Sequence, residues 1–193
     1  MSKVHLGPQA LLYPLPVVLV GANVGGKPNF MTASWCGIAS SEPPMLTVAL
    51  RHQRYTYKGV RENLTFSVNI PSSDLFREAD YCGLESGARE EKQKVCGFRV
   101  FYGRLGSAPL IEQCPVNLEC QVAHILDLGS HALIVGRIEE TYASEDCLTG
   151  GQPDVNKVKP FLYSKGARQE YQTFGSVLGT VFRVGRELKQ GKN

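Results

Sequence analysis

A mainly β fold, a closed or nearly closed antiparallel barrel with a few short helices, is predicted by three observations on this sequence. Short β-branched runs recur between Gly and Pro breaks over the first seventy residues. Two long stretches of strand-like residues then flank a single turn at Leu128-Gly129-Ser130, and the helical signals ahead of them are short. Many short strands in one chain of 193 residues favour a barrel, because closure removes exposed sheet edges.

Val17–Asn23 is an apolar, β-branched run stopped by Gly25-Gly26-Lys27-Pro28, and Phe30–Ser34 resumes behind it, which predicts an opening hairpin. Pro43-Pro44 breaks the chain before Met45–Leu50, a short strand that ends at Arg51. Thr56 is placed to cap a helix over Tyr57–Asn63, and Leu64–Ile70 reads as a fresh strand. Ser73–Tyr81 fits a short helix. Gly83, Gly87 and Gly97 punctuate a charged stretch with Arg89, Glu90, Glu91 and Lys92, expected to be a mobile surface excursion. Leu118, Cys120, Val122 and His124 alternate with Glu119, Gln121 and Ala123, so His124 is expected on the apolar face. Ala132–Tyr142 returns after the turn as the second long strand. Cys147–Pro160 is polar and rich in Gly and Pro, a loop of functional or disordered character. The end, Phe161–Tyr163 and Tyr171–Gly185, carries aromatics and glycines with little helical period.

At 42% hydrophobic and 20% charged residues, the chain can bury one sizeable core, and a single domain over 1–193 is expected. A net charge of +3, with no basic run beyond the short tail at Lys189–Lys192, argues against nucleic acid as a partner. The apolar run Val17–Val20 is too short to span a membrane, and the N-terminus lacks a signal-peptide layout. Six cysteines without a C-x-x-C pair read as reduced thiols, which with the previous point predicts a soluble, cytoplasmic protein. Cysteines and histidines do not fall at zinc or iron–sulfur spacings, so no metal is expected. Gly25-Gly26-Lys27 lacks the glycine and hydroxyl of a phosphate loop.

Asn29-Phe30-Met31-Thr32-Ala33-Ser34-Trp35, Arg51-His52-Gln53-Arg54-Tyr55-Thr56 and Phe66-Ser67-Val68-Asn69 together carry hydroxyls, arginines and amides on strand-like backbone. That is the inventory for flavin mononucleotide (FMN): donors and positive charge for a phosphate, small residues for a flat ring, polar groups for the pyrimidine edge. Arg51, Arg54 and Thr56 can serve the phosphate, with the N-terminus of the following helix behind them. Taken alone the same arginines read as solvated loop residues; the neighbouring hydroxyl and amide residues turn the reading toward a phosphate. Thr32 and Ser34 face one way on a strand and Trp35 the other, which offers hydroxyls to a ligand and Trp35 to the core. The backbone N–H groups of Ala33 and Ser34 are a second way to approach the ring; the alternative is that small residues only permit tight packing. Asn69 is either a ligand-facing amide or a turn residue, and Lys92 a solvated side chain or a cation closing over an anion. His131 at the mouth of a strand is either an exposed histidine or a donor and proton handler beside the flavin. Cys36 adjoins the proposed flavin strand, and core burial is the stronger reading of its thiol.

The order of these motifs, with Ser86-Gly87 before Lys92, Cys114–Cys120 as CPVNLEC and Gly129-Ser-His131 opening a long strand, resembles the flavin reductase-like, FMN-binding split-barrel proteins. The resemblance runs over nearly the whole chain. It implies a six-stranded antiparallel split β-barrel of Greek-key type, a homodimer, and one noncovalent FMN per subunit. By position it implies that Asn29, Thr32, Ala33, Ser34, Trp35 and Cys36 line the flavin, with Arg51, Arg54, Thr56 and Lys92 on the phosphate side. Asn69 and His131 then lie nearer the ring, His131 as the catalytic position. Two activities are implied within the family: an electron relay between redox protein partners, which the resemblance favours, and a reductase that oxidises a reduced nicotinamide, NADH or NADPH. A non-redox binding module on the same barrel is the third class.

Overall fold

The computed structural model describes residues 1–189; the rest of the lysine-bearing tail, residues 190–193, lies outside the described part. Strands β1 (Val18–Val24) and β2 (Lys27–Ala33) form the opening hairpin. Its two-residue turn holds Gly25 and Gly26 at φ of +56° and +78°, the left-handed conformation that a turn matching the strand twist needs at both positions. Strands β3 (Cys36–Ser41) and β4 (Pro44–Arg51) make a second hairpin, helix α1 (Tyr55–Asn63) follows, and β5 (Thr65–Ile70) returns. After helices α2 (Phe76–Leu84) and α3 (Lys92–Val95), the long strands β6 (Val116–Asp127) and β7 (His131–Ala143) complete the sheet.

The order across the sheet is β2-β1-β5-β6-β7-β4-β3, with every neighbour antiparallel. This gives seven strands where six were expected. The extra strand is β3, whose exposed, small residues lack the apolar alternation that marks a strand. The two edges of the sheet, β2 and β3, are consecutive in the chain and joined only by Ser34 and Trp35. The sheet therefore curls until its edges nearly meet, and these two residues cross the split. The carbonyl of Trp35 accepts from the N–H of Ala49 on β4 at 2.9 Å, which anchors the crossing.

Alternate residues fill the barrel: Val18, Val20, Met31, Leu46, Val48, Leu50, Phe66, Val68 and Ile134 are buried together, and Tyr57 and Val60 of α1 join them. Their neighbours Leu19 and Phe30 point outward and pack under α2 with Ala79, Cys82, Phe98 and Ile111. His124 departs from its expected place on the apolar face and is exposed. The register explains it: Gly136 pairs with Val122 and Val135 with His124, so Ala123 bulges and the strand beyond it is turned over.

The charged segment after α2 is a folded element, since Lys92 starts a helical turn and is only 2% exposed. Cys147–Pro160 is likewise ordered: Leu148–Thr149 pairs with Gln152–Pro153, and Asp154 caps a turn of helix at Val155–Val158 by accepting from Asn156 N at 2.9 Å. Phe161–Ser164 pairs with both Leu15–Pro16 and Glu170–Thr173, which ties the two ends of the chain together. Among the described residues, no helix is long and apolar enough to cross a membrane, and no group of metal-ligating side chains is found.

Candidate functional site

Two cavities flank the split. The first, about 250 Å³, is polar and lies where the β4–α1 corner meets the chain after α2; Arg54, Thr56, Ser86, Gly87, Arg89 and Lys92 line it. Thr56 does not cap α1 as expected. The helix starts at Tyr55, and Arg54 holds the N-cap position without a side-chain bond. Thr56 is instead buried, and its hydroxyl accepts from Asn29 Nδ2 at 2.6 Å, so its own proton is free for an acceptor in the cavity. Gly87 closes on the same pair: a Cβ there would sit 1.9 Å from Asn29 Oδ1, so only glycine fits. Arg54 is exposed, and its guanidinium reaches the Gly83 carbonyl at 3.3 Å.

Lys92 is the most telling member of the group. Its ammonium donates to the carbonyls of Cys82 and Glu85, both at 3.0 Å, at the C-terminal end of α2 where unpaired carbonyls gather. Two of its three protons are thereby used, and no carboxylate pairs with it among the described residues. Burial, followed by the nearby Arg54 charge, pushes its pKa below the ordinary lysine value. A buried cation facing a cavity edged by Arg54, and by Arg89 in a 3.5 Å pair with the Glu85 carboxylate, is a site shaped for an anion.

The second cavity, about 490 Å³, is mainly apolar; Ser34, Trp35, Cys36, Ala49 and Leu133 form one wall, and the N-terminal segment through Leu11, Leu12 and Pro14 forms the other. Met31 lines the first cavity and Ser34 the second, so one stretch of chain runs from the anion site to the apolar site in about three strand residues, or ~10 Å. Trp35 does not enter the core as expected: it is 39% exposed and stacks on His131, with ring centroids 4.7 Å apart. Lys165 Nζ lies 5.8 Å from the centre of the same indole. His131 pairs across the sheet with Arg51, which puts both on the outward face that also carries Ala49 and Leu133. Its Nδ1 is 2.8 Å from Ser130 Oγ. Partial burial first, then the Arg51 charge, lowers the His131 pKa from its ordinary value, which favours the neutral imidazole. Burial raises the Cys36 thiol to about 11, which keeps it protonated.

Six of the predicted residues line neither cavity: Asn29 and His131 touch the lining residues Thr56 and Trp35, Arg51 is exposed beside His131, Ala33 is buried in the barrel core, and Thr32 and Asn69 are engaged within the fold. Asn69 is fully buried on the outward face of the sheet, where Nδ2 donates to Leu19 O and Ser67 Oγ, and Oδ1 accepts from Ile111 N and Asn117 Nδ2. Its hydrogen-bonding capacity is spent within the fold, so it is a structural amide. The Thr32 hydroxyl donates to the Ala79 carbonyl of α2 and does not face a ligand; the strand backbone beside it is what remains. Sequence reasoning about individual side chains missed Arg89, Lys165 and the wall from Leu11 to Pro14. None carries a local signal, and only Ser86-Gly87 was marked, through the family motif.

A seven-stranded split barrel with an anion cradle at one end of the split and an apolar slot at the other is the architecture of a flavin-handling protein. The chain belongs to the flavin reductase like domain family, whose model matches residues 10–172. The structure is similar to that of flavoredoxin from Methanosarcina acetivorans, at 39% identity and a TM-score of 0.93, covering 97% of this chain and 100% of that one. It is also similar to flavoredoxin of Desulfovibrio vulgaris (Miyazaki F), at 35% identity and a TM-score of 0.88 over 95% of this chain and 100% of that one. An uncharacterized protein of Archaeoglobus fulgidus is 36% identical over 145 residues, 75% of this chain and 81% of the relative.

Proposed function

We propose that this protein is a flavoredoxin-like electron carrier that binds FMN noncovalently and passes electrons between redox partners. The observation that carries the reading is Lys92, a buried ammonium with a spare proton and, among the described residues, no carboxylate partner, facing a cavity edged by Arg54, Arg89 and Thr56. A phosphate monoester satisfies all of these groups at once, and the adjoining apolar cavity takes a flat ring. The flavin supplies reversible one- and two-electron chemistry when bound.

The residues of the chain do the rest. Arg54 and Lys92 neutralise the phosphate charge, while Asn29 fixes the Thr56 hydroxyl so that its proton points into the cavity. Ser34 and Trp35 line the apolar cavity at the split and offer it their backbone, Ala33 packs beneath them in the core, and Cys36 lines the same cavity as a neutral thiol. Trp35 holds the His131 imidazole by stacking, and partial burial, followed by the Arg51 charge, lowers its pKa. We assign the proton to Nε2, with Ser130 donating to Nδ1, so that His131 donates toward the ring side. Exposed Trp35, Leu11 and Leu12 border this face and fit a homodimer or a transient protein partner. The unpaired thiols suit a cytoplasmic carrier that works as one domain.

The visible spectrum of the purified protein tests the cofactor: oxidised-flavin absorption is expected, with one mononucleotide released per chain on denaturation. A colourless protein that fails to take up FMN sinks the proposal. The family also supports an NADH- or NADPH-dependent flavin reductase, and anaerobic stopped-flow mixing separates the two. Rapid flavin bleaching by a reduced nicotinamide would establish the reductase; slow bleaching with fast exchange to a protein acceptor would establish the carrier.

Arg54→Ala should weaken FMN binding about tenfold, the worth of one charge-assisted hydrogen bond of roughly 1.5 kcal/mol, while leaving the melting temperature unchanged because Arg54 is exposed. Isothermal titration and a thermal melt check it. For His131, an NMR titration should give a midpoint below 6.5 that rises toward 6.5 in Arg51→Gln. A midpoint unaffected by that substitution would remove Arg51 from the account. His131→Ala should retain FMN and change its reduction kinetics.

A further inference from the structure

Beside the anion cavity lies a thiol pair that the proposed electron transfer does not use. Cys82, in the last turn of α2, and Cys96, immediately after α3, hold their sulfur atoms 4.0 Å apart. Cys82 is wholly buried and Cys96 partly exposed, so one thiol meets solvent and the other waits behind it. Both are tied to Lys92. The Cys82 carbonyl accepts from Lys92 Nζ at 3.0 Å, and the Cys96 N–H donates to the Lys92 carbonyl at 2.9 Å. A hydrogen bond from the Cys82 thiol, reinforced by the Lys92 charge, holds the Cys96 thiol below its ordinary value. Burial instead raises Cys114 and Cys120.

We propose that Cys82 and Cys96 form a reversible disulfide that loosens the Lys92 cradle, with a low-molecular-weight disulfide as the oxidant. This rests on the reading of the cradle as the FMN phosphate site. The Cys96 thiolate attacks the small disulfide, whose S–S bond breaks; a mixed disulfide forms on Cys96 and the first small thiolate leaves and takes up a proton. Cys82 then gives up its proton and attacks Cys96 Sγ, forming the internal S–S bond and expelling the second small thiol. Two protein thiols are oxidised, and one small disulfide is reduced to two thiols.

Bonding distance is about 2.05 Å, so the two sulfurs must approach by ~2 Å. α3 is a single turn, and the Cys96 N–H to Lys92 carbonyl bond makes Cys96 and Lys92 move together. Drawing Cys96 toward α2 shifts Lys92 against the two carbonyls that aim its ammonium. A binding group held to about 0.5 Å cannot absorb that shift and keep its hydrogen bonds.

The test is to equilibrate the FMN-loaded protein with glutathione disulfide, map the linkages in unreduced peptides, and titrate FMN and riboflavin into each form. A Cys82–Cys96 linkage is expected, with FMN affinity about tenfold weaker, riboflavin affinity unchanged, reversal by dithiothreitol, and no response in Cys96→Ser. Absence of the linkage, or a linkage with unaltered FMN affinity, overturns the proposal. If neither form binds FMN, the cofactor reading and the coupling to it fall together, while the peptide map still decides whether the disulfide forms.

Discussion

Lys92→Met is expected to lower FMN affinity by about a hundredfold, more than any other single change at the cavity. The ammonium contributes a charge-assisted hydrogen bond from a buried position, worth roughly 1.5–3 kcal/mol, or ~10- to 100-fold in affinity; desolvation places it at the upper end. Methionine keeps an unbranched stem of four atoms and removes the ammonium. It also leaves the Cys82 and Glu85 carbonyls without their donor, which should cost about 1–3 kcal/mol of stability and appear in a denaturant titration. Riboflavin, which lacks the phosphate, separates these effects. Its affinity should hardly move, so an equal loss for FMN and riboflavin would mean that Lys92 acts only by supporting the fold.

Gly87→Ala should be nearly as damaging, through space in place of charge. The new methyl would lie 1.9 Å from Asn29 Oδ1 and 2.9 Å from the Tyr55 ring, so Asn29 has to turn and release Thr56. Overpacking of this kind costs about 1–3 kcal/mol, and loss of the oriented Thr56 hydroxyl should reduce FMN affinity by about tenfold. Asn29→Ala in the Gly87→Ala background supplies the missing room. The double variant should therefore recover stability relative to Gly87→Ala alone, and simple additivity of the two losses would refute the proposed contact.

Local signals carried much of the fold. The Gly25-Gly26 turn, the β-branched runs on either side of it and the alternation through Leu118, Cys120 and Val122 give the correct hairpin and the correct buried face. The same rule failed at His124, since one bulged residue reverses every following side chain and nothing in the alternation marks where the extra residue falls. Strand β3 was missed because its residues are small and exposed; pairing with β4, not burial, makes it a strand. Thr56 shows a similar limit. A threonine at a helix start is a sound capping signal, yet Asn29, 27 residues earlier in the chain, takes its hydroxyl for the cavity.

The sequence by itself determined the class of protein: a mainly β chain whose ordered motifs carry the donors and cations for a phosphate beside small residues for a ring. Those are matters of residue type and order, which a chain states directly. Only the tertiary structure decided which side chains are available. It withdrew Asn69 and Thr32 by spending their hydrogen bonds inside the fold, and it brought Trp35 out of the core onto His131. It also turned Lys92 from a charged residue in a glycine-punctuated stretch into a buried ammonium with one free proton. Availability depends on partners distant in the chain, and a buried polar group is free for a ligand only when those partners leave part of its capacity unused.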